Sequence, residues 1–288
     1  MKSLLRFLFF ASVSLSLVCF VSCAAGKSGE KTNYEVNDEF NSIYIVADTE
    51  NIVLKPSVDS ECKVCCYNSN KLWHSISVED GELVIKVVDE RRWYEKFFNF
   101  GTQNDITVFI PRENSSSLMI EADTSDIDIA SDLFFSSINI WVDTGNISNL
   151  ASASCEISIN CGTGDIDVSD VTSENLYLYS TTGRISVNNS MICGEVKLVA
   201  DTGDISLSNT VSTGNLNATA DTGDVKFEKI DASEVIIKTE TGDVEGSFIS
   251  EKIIFATSET GDINIPKLTS GGRCDISTET GNINITIE

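Results

Sequence analysis

A tetrad Thr-Gly-Asp-Ile, or a close variant of it, begins at Thr124, Thr144, Thr163, Thr182, Thr202, Thr222, Thr241, Thr260 and Thr280, and every interval is 19 or 20 residues. Self-similarity at such a period is the signature of a stacked repeat. Aligned on Thr, the copies form columns. Six residues before it stand Leu118, Ile138, Ile157, Leu176, Val196, Leu216, Val235, Ile254 and Cys274. Four before it the residues are aliphatic or Ala throughout, and three after it they are Ile or Val throughout, from Ile127 to Ile283. Apolar and polar residues alternate within each flank, as in a half-buried strand.

Two short strands meeting at a Thr-Gly corner, with a third apolar position about eight residues on (Val171, Ile230, Leu268), make one coil. A single coil cannot bury its inner face, so copies must stack. The expected fold is all-β: a parallel β-solenoid of about nine 19–20-residue coils, residues 118–288, with each strand paired to the next copy along the chain. At about 4.8 Å per coil the repeated part is a rod of roughly 38 Å. Gly supplies the positive φ of the corner. Asp or Asn after it, as in Asp165, Asp204 and Asp243, offers an oxygen that closes an Asx-turn. Residues 34–117 carry strands without the strict period, at Ile43–Val46, Ile52–Leu54, Leu83–Val88 and Ile106–Ile110, and Thr49-Glu50-Asn51-Ile52 looks like a decayed corner. They are expected to form the irregular first coils and N-terminal β cap of the same solenoid.

The Ile-Tyr-Ile-Val and Asn-Ile-Val-Leu pair at residues 43–54, the strand ending Ile110-Pro111 and the serial corners resemble the bacterial putative-adhesin family of β-solenoid envelope proteins. The resemblance covers about residues 35–288. It implies surface binding and carries over no catalytic residue, because that family has no agreed ones.

Lys2 and Arg6 precede a charge-free, mostly apolar run from Phe7 to Val21, the plan of a secretory signal peptide over residues 1–22. Phe20-Val21-Ser22-Cys23 resembles a lipobox, which makes Cys23 the expected acylated residue and residues 24–33 a flexible polar linker. The expected location is therefore extracytoplasmic, in the cell envelope, held to the membrane by lipid. Lys and Arg number 20 and Asp and Glu 44, a net charge of −24; without Lys2 and Arg6 it becomes −26. Such a body is repelled by anionic headgroups and by phosphate backbones, which argues against nucleic acid as a partner.

Asp-Thr-Gly at residues 143, 201 and 221 spells the loop of an aspartic protease, but Gly162, Thr181 and Glu240 fill the same acidic position elsewhere, so the triplet belongs to the corner. The acidic columns, densest at Asp201, Asp204, Asp221 and Asp224, offer oxygen ligands of the kind Ca²⁺ takes. Interruption by Arg184, Gly162 and Thr181 favours a solvated acidic edge instead, and no cofactor is expected. Outward residues three before the corner (Glu121, Trp141, Asn160, Tyr179, Val199) make no flat Thr array of the ice-binding kind. Cys161, Cys274 and, by parity, Cys155 read as small core residues. Cys62, Cys65 and Cys66 are half a zinc site at most, with His74 alone, and a disulfide among them is left open. Arg91, Arg92, Trp93, Tyr94, Phe97 and Phe98 lie in the one basic, aromatic segment and are the candidates for partner contact or for capping the solenoid end. The resulting expectation is a non-catalytic, adhesin-like envelope lipoprotein presenting a surface to a protein, a glycan or another copy of itself. A periplasmic sensor or scaffold, or a polysaccharide-acting solenoid enzyme, are the alternatives.

Overall fold

The computed structural model describes residues 30–92, 105–112 and 116–288. Among them every regular element is a β-strand, and the strands form two long sheets and one short one. The Thr202 coil shows the plan: Val196–Thr202 leads into the corner, Ile205–Ser208 trails from it, and Val211–Ser212 closes the turn. Strands before the corners make a 12-stranded leading sheet, those after them a 13-stranded trailing sheet, and the closing pieces a three-stranded sheet. The alternation places Val196, Leu198 and Ile205 between the sheets, all fully buried, and their column mates continue the same aliphatic ladders. Neighbouring corner threonines pair in parallel register.

The corner is tighter than a turn preference alone explains. Gly223 has φ of +150°, and a Cβ there would lie 2.2 Å from the carbonyl oxygen of Gly203 in the adjoining coil. Glycine is thus required both by conformation and by the close approach of stacked backbones. The Asp/Asn column does not close Asx-turns within a coil, as expected from sequence; it bonds between coils. Asn146 N–H donates to Asp126 Oδ1 (2.8 Å), Asp165 N–H to Asn146 Oδ1 (3.0 Å) and Arg184 N–H to Asp165 Oδ1 (2.8 Å). The series resumes from Asp204 to Asp224 and Asp243. Stacking brings the next coil's N–H nearer to each carboxylate than its own turn does. Arg184 carries no acceptor, and its guanidinium instead reaches Asp165 Oδ2 at 3.2 Å.

A further column, two before each Thr, is legible only in three dimensions. Cys161, Ser180, Thr239 and Thr278 point inward and donate to the corner carbonyls of Gly145, Gly164, Gly223 and Gly242. Cys161 and Cys274 are buried as expected, but Cys155 is exposed. A register shift between the Thr144 and Thr163 coils, after Phe135, inserts a residue beside it and reverses its facing. Leu268 is only half-buried, since the third sheet spans just three coils.

The order of coils departs from the order of the chain at both ends. The Thr49 coil (Ser42–Ala47 and Ile52–Pro56) stacks on the Thr124 coil, while Glu82–Asp89 with Ile106–Ile110, later in sequence, lies outside it. At the other end the last coil (Gly272–Thr280 and Ile283–Ile287) inserts between the Thr241 coil and the Thr260 coil, which becomes terminal. The buried Lys252 ammonium fixes this arrangement by pairing with Asp231 and donating to Ala232 O at 2.7 Å. At the N-terminal end the pairing turns antiparallel: Leu72–Glu79 joins Glu82–Asp89, and Cys62–Asn68 joins both Ile106–Ile110 and Glu30–Val36. Residues 30–33, expected in the linker, are therefore part of a strand, because ladder hydrogen bonds need no apolar side chain.

Candidate binding face on the leading sheet

Every inward column belongs to the core and the corner columns hold coil to coil, which leaves the outer faces of the sheets; the leading one carries Tyr44, Trp141, Tyr177 and Tyr179. Two outward columns run along it. The first reads Val84, Tyr44, Met119, Asn139, Ser158, Tyr177, Lys197 and Asn217 in spatial order; the second reads Lys86, Val46, Glu121, Trp141, Asn160, Tyr179, Val199 and Thr219. Tyr44, Trp141, Tyr177 and Tyr179 gather between the N-terminal end and the middle of these columns, and Phe255 stands apart from them on the terminal strand. Trp141 is 40% exposed and Met119 37%, although each sits in the middle of a regular sheet.

The rings are held by carboxylates. Tyr44 Oη donates to Glu121 Oε2 at 2.7 Å, and Tyr179 Oη to Asp201 Oδ2 at 2.7 Å. Tyr177 reaches Glu195 Oε2 at 3.4 Å. The Glu121 hydrogen bond, followed by burial, raises the Tyr44 pKa; burial, followed by the Glu195 charge, raises that of Tyr177, so both phenols stay protonated donors. Lys86 Nζ lies 5.5 Å from the Tyr44 ring centre, a cation–π contact. Between the columns lies a shallow depression of about 510 Å³ lined by Ser158, Asn160, Tyr177, Tyr179, Glu195 and Lys197. Trp141 and Tyr179 are two coils apart, roughly 9.6 Å, with Asn160 between them. Flat rings separated by amide, hydroxyl and carboxylate groups can stack on an apolar ligand face and bond its polar rim.

The sequence-derived candidates lie elsewhere. Cys23, Trp93, Tyr94, Phe97 and Phe98 are outside the described residues. Arg91 is spent locally, its Nε and terminal N–H groups donating to Asp89 Oδ1 and Oδ2 at 2.8 and 2.9 Å, and Arg92 follows it at the end of the same segment. Of the acidic set, Asp201 accepts from Tyr179, Asp204 from Asp224 N–H, and Asp224 from Asp243 N–H and, on its other oxygen, Lys226 at 2.9 Å. The Asp243 and Lys226 bonds hold the Asp224 pKa down. Asp221 is exposed on the edge beside them. Among the described residues no three His, Cys, Asp or Glu side chains converge as a metal site. Cys62 and Cys66 face inward as unpaired thiols, with burial pushing each pKa up to about 12. The aromatic part of the face had a signal in the sequence, namely Trp141, Tyr177 and Tyr179 at outward positions of coils two apart, but which coils stand beside Tyr44 was not readable.

The family model described as Toastrack DUF4097 matches residues 40–197 and again residues 183–288. The chain belongs to this family. No curated protein matches the Toastrack chain in sequence. Among solved structures, a putative adhesin from Bacteroides fragilis is 17% identical with a TM-score of 0.52, over 91% of this chain and 98% of that one. A putative lipid binding protein from Parabacteroides distasonis is 14% identical (TM-score 0.47; 89% and 96% covered). A putative adhesin from the same organism is 11% identical (TM-score 0.41; 90% and 98% covered). The Bacteroides fragilis likeness is one of fold.

Proposed function

We propose that this protein is a non-catalytic envelope lipoprotein, exported through residues 1–22 and acylated on Cys23, that uses the aromatic part of its leading sheet to hold a glycan or protein partner. The observation that carries the reading is the exposed Trp141 with the carboxylate-braced Tyr44, Tyr177 and Tyr179 on one rigid face. The architecture does not need these side chains outside, since neighbouring coils hold the same columns with Lys197, Asn217, Thr219 and Lys238. Aromatic residues are characteristic of binding hot spots. The basic aromatic segment Arg91–Phe98 follows the strand that carries Val84 and Lys86 on this face, and it serves as a second contact or as the cap of that end.

The test uses whole cells bearing the parent or the double variant Trp141→Ala, Tyr179→Ala. Protease shaving should remove both chains from the surface equally, and adhesion to isolated surface polysaccharide and to envelope protein should fall roughly tenfold for the variant alone. Equal adhesion of parent and variant would overturn the binding face; chains protected from the protease would overturn the surface location.

A further inference from the structure

The C-terminal end of the solenoid is an unfinished sheet. The strand Lys252–Thr260 pairs on one side with Gly272–Thr280 and closes the leading sheet as its edge. In the columns behind it, Cys274 and Ile276 are 0% and 2% exposed, yet the terminal Ile254 and Ala256 are only half-buried. On the trailing side Ile283 is fully buried and the terminal Ile263 is 42% exposed. Ile249 and Phe255 are exposed at this end as well, at 47% and 56%, Phe255 on the outer face of the strand. The aliphatic ladders of the core therefore run out into solvent here.

The two sheet edges at this end are not alike. The trailing sheet stops after Ile263–Asn264, and Pro266 and Lys267 follow, which blunts that edge. The leading edge runs for nine residues without proline, and Glu259 is its one exposed charge, since Lys252 is buried on Asp231. We propose that this edge receives a second copy of the chain, in a two-fold, tail-to-tail dimer. What covers the edge must bring unpaired strand N–H and C=O groups and an apolar flank. The stretches of this sequence outside the described residues adjoin Glu30, Arg92, Asp105, Arg112 and Ser116, all at the opposite end of the rod. A second copy supplies both requirements by symmetry: with the two-fold at Ala256, Lys252–Thr260 pairs antiparallel with its mate, Ala256 meets Ala256, Ile254 faces Ser258, and the two apolar ends cover each other. Given the anchor at Cys23 proposed above, which lies at the far end, copies on facing membranes would meet tip to tip; the dimer itself does not depend on that anchor.

The experiment takes the full chain with Cys23→Ser, so that no acyl group drives association, and measures sedimentation equilibrium up to near-millimolar concentration. A monomer–dimer equilibrium is expected. Phe255→Lys with Thr257→Lys, both exposed and outward, places like charges across the pairing and should raise the dissociation constant at least roughly tenfold with Tm unchanged. Trp141→Ala should leave dimerisation intact, which separates this contact from the binding face. Phe255→Cys with Thr257→Cys, which face each other across the pairing, should give an oxidised covalent dimer that the parent, with Cys155 and Cys193 exposed, does not form. A monomeric parent, a dimer indifferent to the two lysines, or equal cross-linking of the parent would each overturn the proposal.

Discussion

The two ends of the solenoid solve one problem in opposite ways. At the N-terminal end the parallel stack gives way to antiparallel pairs, with Leu72–Glu79 and Glu30–Val36 closing the sheets and polar groups buried beneath them. His74 is 4% exposed, with Nδ1 2.8 Å from Asn68 Oδ1 and Nε2 unpartnered, and Glu50 is fully buried with Oε1 unpartnered. Burial raises the Glu50 pKa and lowers that of His74. At the C-terminal end the stack stays parallel and regular to the last strand, one ion pair holds the exchanged coil, and the edge is left bare. An irregular end tolerates strain and variety; a regular one depends on every repeat fitting its neighbour.

The widest expected contrast is between the corners near the two ends. Gly281 has φ of +154°, and a Cβ would sit 2.0 Å from Gly242 O, so Gly281→Ala should cost about 4 kcal/mol and melt the C-terminal coils. Ser125, in the equivalent place of the first corner, does not have positive φ, and its buried hydroxyl has no partner. Ser125→Ala should leave stability unchanged or slightly raised. Chemical denaturation of the two variants checks both, and equal losses would show that the first corner is as constrained as the rest.

A somewhat smaller effect is expected from the ion pair that holds the exchanged coil. Lys252→Met leaves Asp231 without its cation in a largely buried site and should cost about 3 kcal/mol, with hydrogen exchange rising first in Lys252–Thr260 and Gly272–Thr280. If protection is lost first at the N-terminal strands instead, this pair does not secure the C-terminal end.

The last test concerns pH at the N-terminal end. Burial takes the His74 pKa from 6.5 down to about 4, so between these values the unfolded chain holds a proton that the folded chain refuses. Stability is therefore present above about pH 6.5 and is lost as pH falls to about 4, by about 3 kcal/mol in full. Carboxylate repulsion relaxes over the same range, so the measurable quantity is the difference between the parent and His74→Gln. The parent should lose more than the variant across that window; parallel curves would mean that His74 is protonated in the folded state as readily as in the unfolded one.

Much of the fold was legible because its signals are local and repeated. Alternation at the three aliphatic columns placed Val196, Leu198 and Ile205 inside, and the Thr-Gly corners placed the bends. The candidate face was less legible. Trp141 and Tyr179 were readable as outward residues, whereas the neighbours that brace them, such as Asp201 on Tyr179, come from adjacent coils. Cys155 faces outward through a bulge that parity cannot register, and the strand Cys62–Asn68 carries no repeat signal because its pairing is antiparallel.

By itself, the sequence determined the coil: its length, its inward faces and the glycine at each corner, all of which follow from side-chain alternation and backbone sterics within some twenty residues. Only the tertiary structure decided which coil lies beside which. Near-identical coils present near-identical edges, so pairing energy alone scarcely distinguishes the Thr260 coil from the Thr280 coil as the neighbour of Thr241. The choice falls to contacts that occur once, such as Lys252 with Asp231, and to the antiparallel strands at the other end, neither of which has a period to be read.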